Sequence, residues 1–73
     1  MVTKYNFTAT DNILYKTIKN RIYIDPDTKI EFKVTGLTKI SGVTNIILEE
    51  IAKQGKFHVI TSHELTKLQY TIK

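Results

Sequence analysis

The chain has 73 residues, 11 Lys+Arg against 7 Asp+Glu, a formal net charge of +4 and no cysteine. A hydrophobic share of 41% with 25% charged residues is that of one folded domain, residues 1–73, and excludes a disordered chain. The cysteine count excludes disulfides and thiolate metal sites, and no apolar run approaches the ~18 residues that a membrane span needs.

Lys4–Thr8 alternates, with Tyr5 and Phe7 on one side and Lys4 and Asn6 on the other, which predicts a short strand. Thr10 or Asp11 then caps a helix whose Ile13, Leu14 and Ile18 share a face, with Lys16 and Lys19 turned away and Asn20 as the stop. Arg21–Asp25 and Lys29–Val34 read as a hairpin around Asp25-Pro26-Asp27-Thr28, where Pro26 presets φ and Asp25 bonds back to the backbone. If the apolar sets share a face, Ile24 pairs with Ile30 and Ile22 with Phe32. The opposite face then carries Arg21, Tyr23, Glu31 and Lys33.

Gly36–Gly55 has two readings. Leu37, Ile40, Thr44, Ile47 and Ile51 step by three and four, the stripe of one amphipathic helix from about Leu37 to Gln54. Broken at Gly42, the same residues outline a helix-turn-helix, with Thr44–Gln54 as the recognition helix and Phe57–Ile72 as a wing. Glu49 and Glu50 suit a DNA groove poorly, and the flanking strands need a covering helix, so the single helix is preferred. In it Glu49 and Lys53 form an i,i+4 pair and Gly55 is the left-handed stop. Phe57, Val59 and Thr61 alternate with His58 and Ile60 in another strand. Ser62–Leu65 turns, and Leu68, Tyr70 and Ile72 mark a last strand.

The expected fold is therefore α+β and two-layered, with two helices packed on a mainly antiparallel sheet in β-α-β-β-α-β-β order. A winged helix-turn-helix is the alternative.

Catalysis is not expected. His58 and His63 do not converge on a third ligand, so no metal site is predicted. The adjacent carboxylates Glu49 and Glu50 diverge by about 100 degrees on a helix. Ser41 and Ser62 have no base beside them. The three glycines make neither GxGxxG nor a phosphate-binding loop, and no cofactor is implied.

A basic balance favours a polyanion, and nucleic acid is the expected partner, DNA ahead of RNA. The candidate binding residues are Arg21, Tyr23, Lys29 and Lys33 on the outer hairpin face, with Lys56 and Lys67 beside the wing-like strands. Lys16 and Lys19 are further phosphate contacts. A protein-interaction module, such as an inhibitor of a host protein, is the alternative, with Ile46, Glu50 and Ile60 as its surface. A domain this small buries only about 60% of its unfolded surface, and a homodimer is the remaining common aid to stability. MVTKYNFTAT lacks the apolar core of a signal peptide, so a soluble cytoplasmic protein is expected. The abundance of isoleucine, lysine, threonine and asparagine suggests an AT-rich genome such as that of a phage, virus or plasmid; it bears on origin and carries no mechanism. With the nucleic-acid reading, the expected role is a regulator or accessory factor of a mobile element.

Overall fold

The computed structural model describes residues 7–72, the last by its backbone alone. The elements are α1 (Ala9–Ile18), β1 (Arg21–Ile24), β2 (Glu31–Ile40), β3 (Val43–Glu50), β4 (Phe57–Thr61), α2 (Ser62–Leu65) and β5 (Gln69–Ile72). The strands form one sheet in the order β4-β3-β2-β1-β5, with every neighbouring pair antiparallel. The domain is α+β as expected, but its described elements run α-β-β-β-β-α-β. The strand expected at Lys4–Thr8 lies mostly outside the described residues.

Helix α1 starts earlier than expected. Thr8 is its N-cap: the Thr8 hydroxyl accepts from the Asp11 amide at 3.1 Å, and the Asp11 carboxylate accepts from the Thr8 amide at 2.9 Å. These reciprocal bonds satisfy donors that the first turn leaves open. Leu14, Tyr15 and Ile18 face the sheet, whereas Ile13 is exposed.

The β1–β2 hairpin keeps its turn chemistry and loses its expected register. Asp25 Oδ1 accepts from the amides of Asp27 at 2.8 Å and Thr28 at 3.3 Å, as an Asx turn requires. Lys29 then adopts a left-handed φ of 64° and adds one residue to the loop. Ile24 therefore pairs with Glu31, Tyr23 with Phe32 and Ile22 with Lys33. A shift of one residue exchanges the faces. Tyr23 is only 2% exposed and lies inward with Phe32, while Ile22 and Ile24 share the other face with Lys33 and Glu31.

The Gly36–Gly55 stretch is neither a helix nor a helix-turn-helix. It holds the far part of β2, a turn, and β3. Ser41 and Gly42 have φ of 50° and 78° between the paired Ile40 and Val43, the geometry of a type I′ two-residue hairpin. The β-branched residues Val43, Thr44, Ile46 and Ile47 suit a pleated surface better than a helix. A bulge at Thr35 falls between the pairs Val34–Leu48 and Gly36–Ile47. It switches the parity of β2, so Phe32 and Val34 face inward before it and Leu37 after it. The helical pair Glu49–Lys53 does not form. Gly55 does take a left-handed φ of 87°, but in the β3–β4 loop, where its amide donates to Glu49 Oε2 at 2.7 Å.

Strand β4 also presents the face opposite to the one expected. Ile46 pairs with Ile60 and Leu48 with His58, so His58 and Ile60 lie on the inner face and Phe57 and Val59 on the outer. A capping box of Thr61 and Glu64 starts the single turn of α2, whose Leu65 is buried. The core joins Ile18 and Leu65 from the helices to Tyr23, Phe32, Val34, Ile46 and Leu48 from the sheet. Among the described residues, both helices cover one face and neither lies on the other, the open face. No helix among the described residues is long and apolar enough to cross a membrane.

Candidate nucleic-acid interface

The α2 turn carries the chain from one edge of the sheet to the other, where β5 pairs with β1 and sets Tyr70 beside Tyr23. Their rings are 5.6 Å apart and inclined at 48°. Arg21 opens β1 on the same face. Its Nη1 donates to the Tyr23 hydroxyl at 3.3 Å, and its guanidinium carbon lies 3.9 Å from the centre of the Tyr70 ring. Such a cation–ring contact is attractive because the ring face is electron-rich. The bond to the Tyr23 hydroxyl is the main cause that raises the Arg21 pKa above its usual value, so the group is permanently cationic.

Arg21 stands between two depressions. On one side is a hollow of about 560 Å³ with walls from Leu14, Ile18, Leu65 and Leu68, and with exposed Ser62 and His63 beside them. On the other is a notch of about 340 Å³, lined by Lys19, Asn20, Ile22 and Lys33, where α1 gives way to β1. Tyr70 is 47% exposed, so a planar group can reach its surroundings. The Arg21 Nε is buried and has no hydrogen-bond partner among the described residues. The arrangement joins apolar and aromatic walls to one fixed cation, which suits a flat ligand carrying negative charge.

Two further groups of charges on the covered face are tied to one another. Buried Glu50 meets His58 Nε2 at 2.7 Å and Lys56 Nζ at 3.5 Å, and the bond to His58 is the main cause that lowers its pKa. The edge of the His58 ring also packs against Phe32, with centroids 5.2 Å apart. Asp11 accepts from the Thr44 hydroxyl at 2.8 Å and pairs with Lys39 at 3.1 Å. No group of three potential metal ligands occurs among the described residues.

The structure divides the residues expected to bind nucleic acid. Arg21 and Tyr23 stand together, with Tyr23 buried and its hydroxyl bonded to the guanidinium. Lys33 is on the opposite face, paired with Glu49 at 3.5 Å. Lys56 is held by Glu50. Lys29 is exposed in the β1–β2 loop, and Lys67 is exposed beyond α2. The hairpin face expected to be basic is therefore not one surface, because the added loop residue moved Arg21 and Tyr23 across the sheet. The interface residues move too. Ile46 is fully buried at 0% exposure, Glu50 is buried with its partners, and Ile60 packs partly against the core. Their expected exposure rested on a helix and on a strand face that the observed register reverses.

Tyr70 and Lys19 complete the arrangement around Arg21. The alternation of Leu68, Tyr70 and Ile72 marks a strand in the sequence, but only the strand order shows that it lies beside β1. Comparison with known proteins gave no match to a family model, a curated protein or a solved structure.

Proposed function

We propose that this protein binds nucleic acid without catalysing a reaction, and that a single strand engages it at Arg21. The observation that carries the reading is the Arg21 guanidinium 3.9 Å over the half-exposed Tyr70, between an apolar hollow and a lysine-bearing notch. Single-strand binding combines stacking surfaces with cations that follow the backbone. Here the Tyr70–Arg21 stack and the apolar hollow accept a base, and Arg21 with Lys19 takes the adjoining phosphate. The net charge of +4 supports the same polarity of partner. An accessory or regulatory role for a mobile element is part of the same proposal; the lysine- and isoleucine-rich composition bears only on the origin of the chain.

The test is fluorescence anisotropy with single-stranded DNA, single-stranded RNA and duplex DNA, each at two salt concentrations. Single strands should bind more tightly than duplex, with DNA ahead of RNA, and binding should weaken as salt rises because condensed counterions are released. Tyr70→Ala should weaken the single-strand complex about tenfold, the equivalent of ~1.4 kcal/mol and within the range of one lost stacked base. Arg21→Ala should weaken it further and flatten the salt dependence. Absence of binding to every probe at low salt overturns the reading.

A further inference from the structure

The open face of the sheet bears an apolar surface that the core does not use. The register sets Ile22, Lys33, Glu49 and Phe57 in one row across β1, β2, β3 and β4. The next row holds Ile47 opposite Val59, and Ile40 and Val43 lie at the hairpin end. Phe57 is 55% exposed and Val59 48%. Clustered large side chains of this kind on a water-facing sheet mark an association surface.

Its charges indicate the occupant. Lys33 and Glu49 sit side by side on the two central strands, with Nζ and Oε1 3.5 Å apart. Ile22 and Phe57 flank them symmetrically in the same row. Glu31 lies on the same face toward the end where β2 begins, exposed to water. A polyanion gains nothing from this mixture of carboxylates and apolar groups. A second copy of the chain matches it. Consider a two-fold axis between two facing sheets, parallel to the strands and midway between β2 and β3. That rotation brings Lys33 of one copy over Glu49 of the other, and Ile22 of one over Phe57 of the other. The contact is isologous, so each favourable pairing occurs twice. The two sheets then stack as in an aligned sandwich, about 10 Å apart.

We propose that the protein is a homodimer whose subunits pack open face to open face, with the Lys33–Glu49 row crossing the two-fold axis. Arg21 and Tyr70 lie on the covered face outside this contact, whereas Ile22 and Lys33 line both the notch and the row, so the dimer is tested by association in the absence of nucleic acid.

Light scattering and sedimentation equilibrium on the full chain test it. The wild type should have the mass of a dimer, and Phe57→Asp that of a monomer with an unchanged far-ultraviolet spectrum. The decisive arm uses two charge reversals. Lys33→Glu leaves only carboxylates in the row, and Glu49→Lys leaves only ammonium groups. Each variant alone should dimerise at least about tenfold more weakly, since like charges then oppose one another across the axis. Mixed in equal amounts, they should restore the dimer as a heterodimer, which repair of the contact within one chain cannot explain. A monomeric wild type overturns the proposal without requiring any variant to fold. So does a Phe57→Asp variant that remains dimeric, or a mixture no more associated than its components.

Discussion

The two faces of the sheet depart from simple alternation in opposite ways. On the covered face, carboxylates lie among core side chains, and each is bonded: Asp11 to Thr8, Thr44 and Lys39, and Glu50 to His58 and Lys56. On the open face, Phe57, Val59, Ile40 and Val43 meet water. An antiparallel sheet with one covered face ordinarily alternates apolar residues inward and polar residues outward. Departures in both directions show that polarity alone does not set the facing here. Local geometry does: the left-handed residue Lys29 sets the face of β1, the bulge at Thr35 reverses the parity of β2, and the β3–β4 register places Phe57 and Val59 outward. The covered face tolerates charge because its charges are paired. The open face is left with an apolar surface available for association.

The largest test of this contrast is truncation on the covered face. Leu48 is almost fully buried, between Val34 and His58 in the neighbouring strands. Leu48→Ala should cost about 2–5 kcal/mol, through lost transfer energy and a residual cavity. For a domain of this size that is a large share of the total stability. Urea denaturation read by circular dichroism measures it. A loss below ~1 kcal/mol, the scale of an ordinary point mutation, would show that this face is not the core.

Parts of this contrast are legible in the sequence and parts are not. The Asx turn at Asp25, the β4 strand and the final strand follow from local patterns. The α+β class follows from alternation mixed with helical spacing. Face assignment fails because it depends on single residues whose conformation the pattern does not announce. Lys29 is a non-glycine residue at positive φ, and Thr35 is an unremarkable threonine that becomes a bulge. The Gly36–Gly55 stretch satisfies a period near 3.6 by coincidence, because the parity switch at Thr35 and the turn at Ser41-Gly42 interrupt its alternation. With the hairpin assigned instead, Ile46 moves from a proposed surface to the centre of the core. At the candidate site, Arg21 and Tyr23 are visible as neighbours in the chain, but Tyr70 is brought to them by a long-range strand pairing.

A smaller effect tests the paired charges of the covered face. The Thr8 amide is the main cause that lowers the Asp11 pKa from 3.8 to about 2, assisted by the Thr44 hydroxyl and Lys39. A carboxyl whose folded pKa is depressed stabilises the fold above its unfolded pKa. Its contribution is complete above about pH 3.8 and is lost as the pH falls toward about 2. Asp11→Asn should therefore lower the melting temperature at neutral pH, and the gap to the wild type should narrow across that acid window. A gap of constant width would mean that Asp11 acts through shape rather than through charge.

The smallest expected change in stability lies on the open face, at Val59. Val59→Thr keeps the β-branched shape and suits a strand equally well. In an isolated subunit the new hydroxyl is hydrated, because Val59 is 48% exposed, so stability in urea should change by no more than about 0.5 kcal/mol. In a face-to-face dimer the same hydroxyl is withdrawn from water at the contact, where an unsatisfied polar group costs about 1–3 kcal/mol. The substitution occurs in both subunits, so the cost is incurred twice. Dimer association should therefore weaken by more than about tenfold, since each 1.4 kcal/mol is a factor of ten, while denaturation of the dissociated subunit stays as it was. Measuring both on one sample separates the two faces: a covered residue changes folding first, whereas Val59 should change association alone. Equal loss in both measurements would place Val59 in the core and end the contrast.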